Sequence, residues 1–96
     1  MTTYQNTIPY SVRFSETAQK QFDRLDKPPQ EYIMDYLRKN VHGKLNPREY
    51  GKALQGGLKG SWRYTIGSYR AICDINDETH IVYITKVSSR GSAYKK

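Results

Sequence analysis

The sequence predicts an α+β fold, and three observations carry that prediction. Ile33, Leu37 and Val41 recur every four residues in the first half, residues 62–66 and 69–75 alternate apolar and polar side chains in the second, and a short alternating run, residues 10–14, precedes the helical pattern. Helical and strand periods segregated along a chain place helices on one face of a mostly antiparallel sheet. The 96 residues suffice for one core and not two, because independent domains need about 50 to 200 residues each. Residues 1–96 are therefore read as one domain, with a loose leader over residues 1–9 and a basic tail over residues 88–96.

Tyr10-Ser11-Val12-Arg13-Phe14 alternates large apolar with polar residues, as a half-buried strand does. Ser15 can cap a following helix, Glu16 suits its positive end, and Ala18, Phe22 and Leu25 share one helical face. Asp26 is a second capping candidate, before Pro28 and Pro29, which a first helical turn tolerates; this helix should end near Gly43. Two such helices form a hairpin whose apolar stripe needs a sheet to cover it. Residues 44–60 are rich in Gly, Asn, Pro and Lys without a clean period, so they read as a loop with one short helical turn around residues 47–50. Gly67-Ser68 then separates two alternating runs, and Gly at the first turn position supplies the positive φ of a type II′ hairpin. After the turn-forming Asn76-Asp77-Glu78-Thr79, residues 80–87 give a third antiparallel strand, and the early strand is free to join an edge.

Composition excludes several function classes. The longest apolar run, residues 81–84, is far short of the roughly 20 residues that span a membrane, and the polar start resembles no signal peptide, so a cytoplasmic location without a membrane partner is expected. One Cys and two His allow neither a disulfide framework nor a Cys/His zinc site, and no metal or other cofactor is expected. Sixteen Lys and Arg against nine Asp and Glu leave +7, which favours a polyanionic partner. Residues 1–50 contribute 8 − 6 = +2 and residues 51–96 contribute 8 − 3 = +5, so the basic surface belongs to the second half.

If Ile66 pairs with Tyr69, then Thr65 lies opposite Arg70 and Arg63 opposite Ile72, while Trp62, Tyr64, Ile66, Ala71 and Cys73 share the other face. The second set is a floor for the helices. The first projects Arg63 and Arg70 into a cationic hollow, where planar guanidiniums can bind two oxygens of one phosphate; the same pattern also fits ordinary solvent-side strand residues. The tail Ser88-Ser89-Arg90-Gly91-Ser92-Ala93-Tyr94-Lys95-Lys96 can grip phosphates and stack on a base, or simply fray as chain ends do.

The block Gly51-Lys52-Ala53-Leu54 through Leu58-Lys59-Gly60-Ser61-Trp62-Arg63-Tyr64-Thr65-Ile66-Gly67-Ser68-Tyr69-Arg70, in its setting of strand, helical hairpin, Arg-bearing hairpin and basic aromatic tail, resembles the RelE/ParE toxin superfamily of bacterial type II toxin–antitoxin modules over residues 10–96. The resemblance implies one of two activities on a shared fold: RelE-like messenger-RNA endonucleases that cut in the ribosomal A site, or ParE-like inhibitors of DNA gyrase. Arg63, Arg70, and Arg90 with Tyr94 resemble the ribonuclease branch more closely. That branch implies attack of a ribose 2′-hydroxyl on the adjacent phosphate, with Arg63 and Arg70 opposing the developing charge, Arg90 holding the phosphate or leaving group, and Tyr94 stacking on a base or moving a proton. Lys52, Lys59, Thr65, Lys86 and Lys95 would bind the RNA. A RelB-like antitoxin rich in acidic patches is implied as the silencing partner, in a hetero-oligomer, alongside the ribosome and its message.

Thr65 and Ser89 depart from the superfamily, where these positions are often basic and often His. Guanidinium stays protonated at working pH, so the base must be Tyr94 with a lowered pKa, or Lys52 or Lys86 if desolvated, or a group of the ribosome. Weak activity away from the ribosome follows. Cys73 is expected to be an inert core residue, His42 and His80 to cap or face solvent, Trp62 to belong to the core, and Tyr10, Tyr32, Tyr36, Tyr64 and Tyr69 to pack.

Overall fold

The computed structural model describes residues 8–54 and 61–89. Seven elements follow in chain order: β1 (Ser11–Phe14), α1 (Glu16–Asp23), α2 (Lys27–Asn40), β2 (Lys52–Ala53), β3 (Ser61–Ile66), β4 (Tyr69–Asn76) and β5 (Ile81–Ser89). The strands form one sheet in the order β1-β5-β4-β3-β2, parallel between β1 and β5 and antiparallel elsewhere. This is the α+β architecture expected, with the early strand at an edge.

Local chemistry accounts for the helices. The Ser15 hydroxyl accepts the Ala18 N–H at 3.0 Å and starts α1. Asp26 stands at the cap position of α2 but makes no side-chain cap bond; proline in the first turn, which lacks an N–H to satisfy, sets that start instead. Gly43, at φ +80, turns the chain after α2, and its N–H donates to the Tyr10 carbonyl at 2.7 Å. Ile33, Leu37 and Val41 are fully buried and meet Tyr64, Ile66, Ala71, Cys73, Val82, Ile84 and Val87 from the sheet, as their spacing predicted. Such burial is worth about 1.5–3 kcal/mol per aliphatic side chain. Tyr32 departs from expectation: it is exposed on α2, where its ring lies against the turn at Gly67.

Three features of the sheet were not expected. No helical turn forms over residues 47–50, and the two-residue β2 follows it, pairing Lys52 with Arg63 and Ala53 with Trp62. His80 does not begin a strand; it sits at φ 59 in the turn before β5. The β4–β5 register slips between Ile72 and Cys73, pairing Ile72 with Lys86 and Cys73 with Ile84, so Thr85 is a bulge residue whose hydroxyl donates to the Ile72 carbonyl at 3.2 Å. Beyond the end of β1, the outer edge of β5 is served by α1: the Val87 N–H donates to Gln21 Oε1 at 2.7 Å.

Candidate nucleic-acid interface

Period-two alternation gives this sheet two faces. The helix side takes Val12, Phe14, Trp62, Tyr64, Ile66, Ala71, Cys73, Val82, Ile84 and Val87. Every cation in a strand, Arg13, Lys52, Arg63, Arg70 and Lys86, projects from the opposite, open side. Across the strands Lys52, Arg63, Ile72 and Lys86 make one row, and Thr65, Arg70 and Ser88 the next. Rows on one face lie about 7 Å apart and paired Cβ atoms about 5 Å apart. Arg63 and Arg70 are thus diagonal neighbours on one surface, as the Gly67-Ser68 hairpin predicted.

Lys86 reaches this surface only through the bulge. Strict alternation from Val82 and Ile84 would place Lys86 beneath the helices; the extra residue Thr85 inverts the parity, turning Lys86 and Ser88 outward and Val87 into the core.

Lys52 is placed by a pinned loop. Arg48 grips Asp77 with two bonds of 3.0 Å, Tyr10 donates to the same carboxylate at 2.6 Å, the Tyr64 hydroxyl donates to the Pro47 carbonyl, and Trp62 Nε1 donates to the Tyr50 carbonyl at 2.7 Å. Trp62 is therefore a half-buried clamp on this loop as well as part of the apolar face. Gly51 sits against it at φ +88, where a Cβ would lie 2.4 Å from the Arg63 carbonyl oxygen.

The electrostatics of the open face are one-sided. The ion pairs of the described residues join Lys20 to Glu16, Arg38 and Lys39 to Asp35, and Arg48 to Asp77, and none involves a strand cation. Lys52 stands directly opposite Arg63, a like-charge pairing that destabilises a sheet. The Arg63 Nε is buried and, among the described residues, has no hydrogen-bond partner. A phosphate held by the accessible ends of these cations would offset the repulsion.

Of the residues singled out from sequence, Arg63, Arg70, Lys52, Thr65 and Lys86 share this face, whereas Lys59, Arg90, Tyr94 and Lys95 lie outside the described residues. Arg13, Tyr83 and Asp74 join the face without having been singled out; their parity within β1, β4 and β5 was the available signal. Cys73 is buried, and loss of hydration pushes its thiol pKa up to about 12. His42 caps no helix; its Nδ1 accepts the Val12 N–H at 3.0 Å on the sheet edge. No cluster of three His, Cys, Asp or Glu among the described residues could hold a metal ion, and no described helix is long and apolar enough to cross a membrane.

Residues 12–94 match the family described as the ParE toxin of type II toxin–antitoxin systems, parDE. Toxin RelG of Mycobacterium tuberculosis is 33% identical over 91 residues, covering 93% of this chain and all of RelG. Toxin RelE of the same organism is 30% identical over 89 residues, covering 91% and 88%. The structure of the RelBE2 toxin–antitoxin complex from that organism aligns with a TM-score of 0.78 at 28% identity, over 91% of this chain and 98% of the matched one. With its Arg-bearing hairpin, its open cationic face and these similarities, the chain belongs to the RelE/ParE superfamily of type II toxin–antitoxin toxins.

Proposed function

We propose that this toxin is a messenger-RNA endonuclease that acts in the ribosomal A site and is silenced by a RelB-like antitoxin. The observation that carries the proposal is the pair of guanidiniums, Arg63 and Arg70, on one open face, neither of them in an ion pair among the described residues. The similarity to toxins named RelG and RelE and to the RelBE2 complex supports the ribonuclease branch and the antitoxin class. A net charge of +7 suits an acidic silencing partner.

In the proposed reaction the ribose 2′-oxygen forms a bond to phosphorus as the bond to the 5′-oxygen breaks. A 2′,3′-cyclic phosphate and a 5′-hydroxyl result, the leaving oxygen taking up a proton equivalent to the one released. Arg63 and Arg70 hold the non-bridging oxygens as charge builds on them, supplying in fixed form the positive charge the step requires. Lys52 and Lys86 flank Arg63 in the same row and hold neighbouring phosphates. Arg90 and Tyr94 keep the roles implied by resemblance, at the leaving group and the base. Thr65, beside Arg70, offers a hydroxyl and no charge, so orientation and proton relay fall to the ribosome, and cleavage of free RNA is slow.

The test is to add wild-type and Arg70→Ala toxin to a translating extract and map the 5′ ends of the message. Cleavage should fall about 10²- to 10³-fold in the variant. Undiminished cleavage overturns the mechanism. Intact messages with accumulating gyrase–DNA cleavage complexes would move the assignment to gyrase inhibition.

A further inference from the structure

The open face carries a polar and aromatic row that the proposed reaction does not use. Ser61, Asp74, Tyr83 and Arg13 lie side by side across β3, β4, β5 and β1, in the row next to Arg63 and Lys86. Asp74 is the one acidic residue in the five strands, and it faces the same side as all five strand cations. The Ser61 hydroxyl donates to its Oδ1 at 3.1 Å and orients the carboxylate without neutralising it. Tyr83 is 43% exposed on the side away from the helices, so packing does not explain a large aromatic here. Arg13 is exposed and, among the described residues, unpaired.

We propose that Arg13, Tyr83 and Asp74 form a nucleotide subsite for the RNA strand, holding one unpaired base away from the cleaved linkage and favouring bases that carry an exocyclic amine. The proposal rests on the RNA-cleaving function proposed above and adds a substrate contact to it. Single-stranded RNA is recognised by aromatic stacking together with hydrogen bonds to base edges, and the row presents both. Tyr83 supplies the stacking surface. Asp74, its antiparallel partner, accepts from an exocyclic amine, which adenine, cytosine and guanine carry and uracil lacks. Arg13, its parallel partner on the other side, takes a phosphate. From Arg70 the track runs four residues along β4 and two strands across to Arg13, roughly 17 Å at ordinary strand spacings, enough for several nucleotides. The arrangement also explains why a carboxylate persists on a face otherwise built to attract anions: it is aimed at a base and not at the backbone.

The test uses fluorescence anisotropy of labelled RNA hexamers, A6, C6 and U6, with the full-length toxin at low salt. Wild type should prefer A6 and C6 to U6. Tyr83→Ala should weaken A6 about five- to a hundredfold, and Tyr83→Phe should restore it, because the ring and not the hydroxyl stacks. Asp74→Asn should erase the preference over U6, and Arg13→Ala should weaken all three and reduce the salt slope by about 0.7. If Tyr83→Ala binds within twofold of wild type while Arg63→Ala loses binding, the subsite is wrong and the phosphate site stands. If wild type binds all three hexamers equally, the amine-reading subsite is wrong, while the cleavage assignment is judged separately by the Arg70→Ala extract assay. All three residues face away from the core, so unchanged circular dichroism should accompany each variant.

Discussion

Arg63→Met should make the isolated chain more stable while removing its proposed chemistry. The buried Nε has no partner among the described residues, and an orphaned buried donor costs about 1–3 kcal/mol. Lys52, in register opposite, adds like-charge repulsion of up to about 1 kcal/mol, reduced by the exposure of the lysine. Methionine keeps an unbranched apolar stem on β3 and lacks the buried N–H. The net gain is about 1–2 kcal/mol, or roughly 5–15 °C in Tm for a chain of this length. Urea and thermal unfolding followed by circular dichroism measure it, with an unchanged m-value showing that compactness is unaltered. Arg70→Met is the control: Arg70 is exposed, so its replacement should move stability by no more than about 0.5 kcal/mol. Added salt should stabilise wild type more than Arg63→Met, since only wild type has the repulsion to screen. An Arg63→Met protein that melts at or below the wild-type temperature would refute the claim that this guanidinium is held at a cost.

Two further predictions come from the loop that places Lys52. Gly51→Ala introduces a Cβ 2.4 Å from the Arg63 carbonyl oxygen and 2.5 Å from Trp62 Nε1, at φ +88, so it should lower stability by at least about 2 kcal/mol through backbone strain and loss of the Trp62 bond; a melt like that of wild type would show that β2 is not pinned as described. At Asp77, the hydrogen bond from Arg48 and then that from Tyr10 hold the carboxyl below its ordinary pKa. A depressed folded pKa contributes stability that is complete above the unfolded value of about 3.9 and is lost as pH falls through the folded value. The pair is solvent-exposed, so the contribution is about 1 kcal/mol or less. Unfolding midpoints should fall more steeply for wild type than for Asp77→Asn between pH 5 and 2, and parallel curves would contradict the assignment.

Much of the architecture was legible because it follows from short-range rules. Ser15 caps α1, Gly67 supplies the positive φ of the hairpin, and period two then places Arg63 and Arg70 on one face whatever else the chain does. The β2 strand was not legible, since two residues carry no period; it exists because β3 offers an edge and the pinned loop delivers Lys52 to it. The helical turn expected over residues 47–50 gave way to the same tertiary bonds.

The sequence by itself determined that cations and apolar side chains separate onto two faces, because alternation is a property of the strand backbone. Only the tertiary structure decided which residues become neighbours across strands. The bulge at Thr85, visible in retrospect as the three-residue step from Ile84 to Val87, brings Lys86 to the open side, and parallel pairing of β1 with β5 sets Arg13 beside Tyr83 and Asp74. Register between strands some seventy residues apart is fixed by packing of the whole core, and no local pattern encodes it.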